Sequence, residues 1–276
     1  MKRFRRFFQD IYAYDVHGLA SELSFTFLLT VFPLLVVFVT LLGLVQDPKT
    51  INLVTSQVGK FLPAPIFLPI DQSVKNLTKI KSYNVIAVSI IISFFSSLTI
   101  FGTMAKALRF ISRDETKISF LSSQWINFRL LMISSFLLIV YFYFTYGLVL
   151  SERFLFRTFK ITFFRAYSGF FIGLVAFFLI TSLFVYYYAN ITRFRTKLKD
   201  NLPGAYLASI FVTLVSFGFN FYLKLKNVGV NYSFAYELLS KMVVLMLFTY
   251  INSTFFIWGF VWNQILLEDK IKNKKK

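Results

Sequence analysis

Apolar residues gather in six long runs along this chain, at 22–45, 84–104, 126–150, 166–190, 203–225 and 242–266, with polar residues concentrated between them. A helix rises about 1.5 Å per residue, so about twenty residues cover a hydrocarbon layer about 30 Å thick. Each run reaches that length. A soluble helix of the same length would keep a polar face toward water. The pattern predicts an all-α, polytopic membrane protein, residues 1–276 forming a single membrane domain with six transmembrane helices.

The remaining segments carry shorter patterns. In 1–17, Phe4, Phe7, Phe8 and Ile11 recur at helical spacing while Lys2, Arg3, Arg5 and Arg6 fall on other faces. That is an amphipathic helix suited to the headgroup region, with a plain basic tail that sets topology as the alternative. Its scattered apolar residues do not make the continuous core of a secretory signal. The loop 46–83 holds two amphipathic patterns, Ile51/Val54/Val58/Phe61 and Ile70/Val74/Leu77/Ile80, split by Pro63, Pro65 and Pro69. Each is too short to span, so a helical outer loop is expected there. Residues 267–276 read as a basic cytoplasmic tail.

Details within the runs refine the picture. Pro33 interrupts the first run and predicts a kink, because its ring removes one backbone hydrogen bond. Glu22 follows His17 at the start of that run and is a candidate counter-ion. Ser89, Ser93, Ser96 and Ser97 line one face of the second run, which favours close helix packing over a polar lining. The aromatics Tyr141–Phe144 and Tyr186–Tyr188 suggest interfacial belts. Pro203–Gly204–Ala205 reads as a turn and helix start, with proline in the first turn.

Charge orients this arrangement. The net charge is +18, from 30 Lys+Arg against 12 Asp+Glu. With six spans, both termini share one side with Lys106, Arg109, Arg113, Lys117, Arg129, Arg193, Arg195, Lys197 and Lys199. That side carries 18 of the 30 basic residues, an excess that places it in the cytoplasm by the positive-inside rule. Arg153, Arg157, Lys160 and Arg165 run against the trend.

The run LASELSFTFLLTVFPLLVVFVTLLGL at Leu19–Leu44, the segment LPGAYLASIFVTLVSFGFNFY at Leu202–Tyr222 and the closing WGFVWNQIL at Trp258–Leu266 together resemble the YihY/BrkB family of bacterial inner-membrane proteins. Order and spacing carry the match, which covers nearly the whole chain. The resemblance implies a multi-pass protein of the bacterial inner membrane. One part of that family is labelled a virulence factor, and another has carried the name ribonuclease BN. This chain departs from the family near 261–264, where it reads Val-Trp-Asn-Gln in place of a Gly-Ala-Glu-like stretch.

Candidate chemistry is sparse. A ribonuclease needs a general acid and base or a metal-holding carboxylate cluster. The chain has one histidine, His17, and two adjacent acidic pairs, Asp114–Glu115 and Glu268–Asp269, read as solvated charge. There are no cysteines and no phosphate-binding glycine loop, and the runs hold almost no charge at depth. These features argue against an enzyme, an ATPase, an ion-coupled pump and a nucleic-acid binder, and no metal or cofactor is expected. The leading expectation is a protein that handles or translocates lipids or other amphiphiles. Lys106, Arg109, Arg113 and Arg129 would form its shelf for anionic headgroups of membrane lipids. Two alternatives stay open: a non-transporting scaffold that recruits an envelope protein through the outer loop, and, remotely, a ribonuclease.

Overall fold

The computed structural model describes residues 2–44, 83–114, 119–159, 163–191, 197–226 and 234–274. Among them are seven helices and no strand: α1 Lys2–Ala13, α2 Val16–Leu44, α3 Tyr83–Ile111, α4 Phe120–Phe159, α5 Phe163–Asn190, α6 Leu198–Lys226 and α7 Phe234–Lys274. The expected outer loop, up to residue 82, lies outside the described residues, as does the side chain of Pro33.

The long helices follow the apolar runs and overshoot them. Among the described residues, five stretches, in α3 to α7, are long and apolar enough to cross a membrane: Ile90–Ile111, Phe120–Tyr141, Phe170–Asn190, Leu198–Phe219 and Val243–Asn273. Within Phe120–Tyr141 only Asn127 and Leu130 are buried. Large apolar side chains such as Ile91, Phe95, Phe136, Leu138, Phe170 and Phe217 stand exposed instead. So much outward apolar surface is unfavourable in water and neutral against lipid tails.

Local signals end the helices. At the end of α3 the Asp114 N–H donates to Arg109 O (3.0 Å) and the Arg113 N–H to Phe110 O (3.2 Å), a Schellman closure. It holds Arg113 at φ 53°, a left-handed conformation that glycine usually supplies. Asp15, at φ 44°, ends α1 in the same way, and a short polar side chain tolerates it better. The helix expected to begin at Pro203 begins at Leu198 instead, so Pro203 lies inside α6.

The chain divides into two compact units. One comprises Met1–Val16, Ala105–Thr213 and Phe255–Lys276; the other comprises His17–Met104 and Leu214–Thr254. In the first, Tyr188 is fully buried, its ring centroid 5.3 Å from Phe256 and 5.4 Å from Phe260. Phe211 stacks on Phe255 with centroids 4.5 Å apart. In the second, α2, α3 and α7 meet through buried hydroxyls. Ser24 Oγ donates to Met246 O (2.9 Å) and lies 2.7 Å from Thr249 Oγ1, while Thr30 Oγ1 donates to Ser96 O (3.0 Å). Ser93 and Ser97 are buried on the same helix, and the Ser97 hydroxyl donates to Ser93 O.

Candidate functional site

The basic residues expected to form a shelf all belong to the first unit. Lys106 is exposed on α3. Arg109, in the last turn of that helix, is half-buried, and its Nε donates to Ile191 O (3.3 Å), just beyond the end of α5. A cation there meets the negative end of two helix dipoles. The Arg109 Nη2 is buried with no hydrogen-bond partner among the described residues. Arg113, held in the left-handed turn, sets its guanidinium 5.9 Å from the centre of the Tyr14 ring. Arg129, on α4, is half-buried, and its Nε also has no partner among the described residues. Arg109 and Arg113 thus turn to different neighbours, one to Ile191 just past α5 and one to Tyr14 just past α1. Glu22 stands exposed on α2 in the second unit, where its carbonyl accepts the Thr26 hydroxyl (2.8 Å).

Pro203 and Gly204 belong to a helix crossing. The N–H of Gly204 donates to Asn263 Oδ1 (2.7 Å), and Asn263 Nδ2 donates to Asn201 O (2.9 Å). Proline removes one main-chain bond from α6, and the fully buried Asn263 supplies two side-chain bonds beside the interruption. The same crossing is close. A Cβ on Gly204 would collide with Gly259 O, and one on Gly259 with Gly204 O, and would lie 2.8 Å from both Ala208 Cβ and Tyr188 Oη. Gly204, Ala208 and Gly259 thus let α6 and α7 approach as small residues do between membrane helices. Asn263 lies where the sequence departs from the Gly-Ala-Glu-like pattern, and here it clips two helices together.

Two groups of residues take roles other than those expected. Glu268 and Asp269, read as solvated tail charge, lie on α7 and pair with α1. Arg3 Nε is 2.7 Å from Asp269 Oδ2, Arg6 bonds Glu268, and Arg6 also lies 3.6 Å from Asp10 and 4.0 Å from Asp269. Lys270 Nζ adds a bond to Asp200 (2.6 Å) in the first turn of α6. The Glu268 hydrogen bond raises the Arg6 guanidinium further above its already high range. Burial pushes the Asp10 carboxyl up, against the pull of Arg6. The second group is Tyr186–Tyr188, expected at an interfacial belt. Tyr187 and Tyr188 are buried, Tyr188 donating to Phe256 O (2.5 Å) and Tyr187 bonded to the Ser134 hydroxyl. Opposite charge at the two ends of the chain was the one visible hint of the first arrangement, and nothing in spacing pointed to the second.

Among the described residues, no three His, Cys, Asp or Glu side chains gather as metal ligands would. An all-helical chain with several long helices that turn apolar side chains outward is a multi-pass membrane protein. The family model described as Virulence factor BrkB matches residues 7–276, nearly the whole length, and the chain belongs to that family. Neither curated proteins nor solved structures yielded a match.

Proposed function

We propose that this protein handles or translocates lipids or other amphiphiles in the bacterial inner membrane, without catalysis and without hydrolysing ATP. The supporting observation is the pair Arg109 and Arg129, half-buried guanidinium groups that each hold a buried nitrogen with no partner among the described residues. A buried donor left unpaired costs about 1–3 kcal/mol, more when charged. A phosphate or carboxylate headgroup would offset that cost with short, charge-assisted bonds. The excess of basic residues on one side supports a cytoplasmic position for both termini in this reading. Lys106 and Arg113 would extend the same shelf, and Glu22 would act as a counter-ion in the second unit.

Purified protein in liposomes carrying a fluorescent phospholipid tests the proposal. A membrane-impermeant reductant should bleach label in both leaflets only when protein is present, and R109E with R129E should abolish that access while insertion persists. Bleaching no greater than in empty vesicles would overturn it and leave the scaffold reading. Unaltered access in the doubly reversed variant would remove the shelf.

A further inference from the structure

Helix α1 carries two apolar strips, and only one of them is covered. At about 100° per residue, Phe7 and Ile11 share one line along the helix. Both are buried, with the Phe7 ring 5.9 Å from Trp258 and 5.5 Å from Trp262 on α7. Phe4, Phe8 and Tyr12 form the adjoining line, four residues apart. They are 61%, 54% and 90% exposed, and Phe4, at the near edge, still meets Trp262 with ring centroids 6.4 Å apart. Past this strip comes Arg5, then Gln9 and Ala13, all exposed. The circuit closes on Arg6, Asp10 and Arg3, the edge that pairs with Glu268 and Asp269. The apolar arc is therefore continuous, half of it seated on α7 and half open, with a cation at its free edge.

The seat on α7 suggests what covers the open half. Trp258 lies midway along the Val243–Asn273 stretch and Trp262 one turn further on, while Glu268 and Asp269 lie in its last two turns, where the apolar helix becomes charged. A helix fastened there lies at the level where hydrocarbon gives way to headgroups. Aromatic rings are favoured at that depth, and arginine finds phosphate beside them. A protein partner would have to match an aromatic strip flanked by positive charge. An anionic bilayer surface already does, and each basic residue near it contributes about 1 kcal/mol.

We infer that α1 is a bilayer-surface helix wedged between α7 and the lipid headgroups, with Phe4, Phe8 and Tyr12 inserted at the interface and Arg5 on anionic phospholipid. This assignment is independent of the transport proposal, because it concerns where α1 rests and not what the protein moves.

The chain contains no cysteine, so single cysteines report without background. Phe8→Cys, Tyr12→Cys and, on the polar arc, Gln9→Cys would each be labelled with a small fluorophore. The full chain is then placed in vesicles of phosphatidylcholine, with or without phosphatidylglycerol. Retention through an alkaline wash selects inserted protein for measurement. Labels at 8 and 12 should be quenched by headgroup-level nitroxide lipid and shielded from aqueous iodide, with the reverse at 9. Arg5→Gln should lower the docked-to-undocked ratio about fivefold in the anionic vesicles, the factor that ~1 kcal/mol represents, and leave it unchanged in phosphatidylcholine alone. Iodide access at 8 and 12 in both membranes would overturn the inference. Shielding from both quenchers would overturn it as well, because protein, such as a second copy of the chain, would then cover the strip.

Discussion

Individual side chains decide how closely these helices meet. Gly259 faces a backbone carbonyl, which cannot rotate away, so a larger residue must push α6 and α7 apart. Gly259→Leu should destabilise the protein by about 2 kcal/mol through overpacking, read as a lower melting temperature in detergent. Asn263→Leu fills similar volume but removes the bonds that Asn263 makes to the Gly204 N–H and the Asn201 carbonyl, and should cost about 2 kcal/mol in the same measurement. Arg113 poses a subtler case. Replacement by glycine removes a left-handed strain of about 1–2 kcal/mol together with a Tyr14 contact of about 0.5–1 kcal/mol, so R113G should melt no lower than wild type. R113A keeps the strain and loses the contact, and should melt lowest of the three. An order with R113A above R113G would show that the turn is not strained.

At the scale of elements, α1 is fastened by a mixed seam of rings and ion pairs. Its acidic member, Asp10, has a pH signature. Burial raises its carboxyl pKa in the folded protein above the unfolded value of 3.8. The folded state therefore binds that proton more tightly, so ionised Asp10 lowers stability at neutral pH, and the loss is recovered as pH falls through the raised value. Asp10→Asn should melt at or above wild type at pH 7, with the difference shrinking toward pH 4. A D10N protein that melts well below wild type at pH 7 would mean that the 3.6 Å pair with Arg6 outweighs burial. The amphipathic spacing of α1 was legible from Phe4, Phe7, Phe8 and Ile11. Its seat was not, because periodicity identifies an apolar face without naming what covers it. Similarly, the serines of α3 were read as packing residues. Their neighbours, the Thr30 hydroxyl on the Ser96 carbonyl among them, come from helices distant in sequence.

For the whole molecule, outward apolar surface and the family match agree on a multi-pass membrane protein. The purified chain should stay monodisperse only with detergent or lipid, and its dilution below the micelle concentration should aggregate it, as followed by light scattering. Fold class was determined by sequence alone. Runs of about twenty apolar residues, six times over, call for a bilayer, and the Pro33-bearing first run and the LPGA segment marked the family. Tertiary structure decided the pairings. It placed Pro203 inside a helix because Asn263 supplies bonds beside the interruption, and it drew Tyr188 into the core because Phe256 offers a carbonyl. It also joined Arg3 and Arg6 to Asp269 and Glu268, more than 250 residues away. Hydrophobic length is a local property and is written along the chain. A hydrogen bond or ion pair needs two groups at one place, and only the folded packing of helices brings them there.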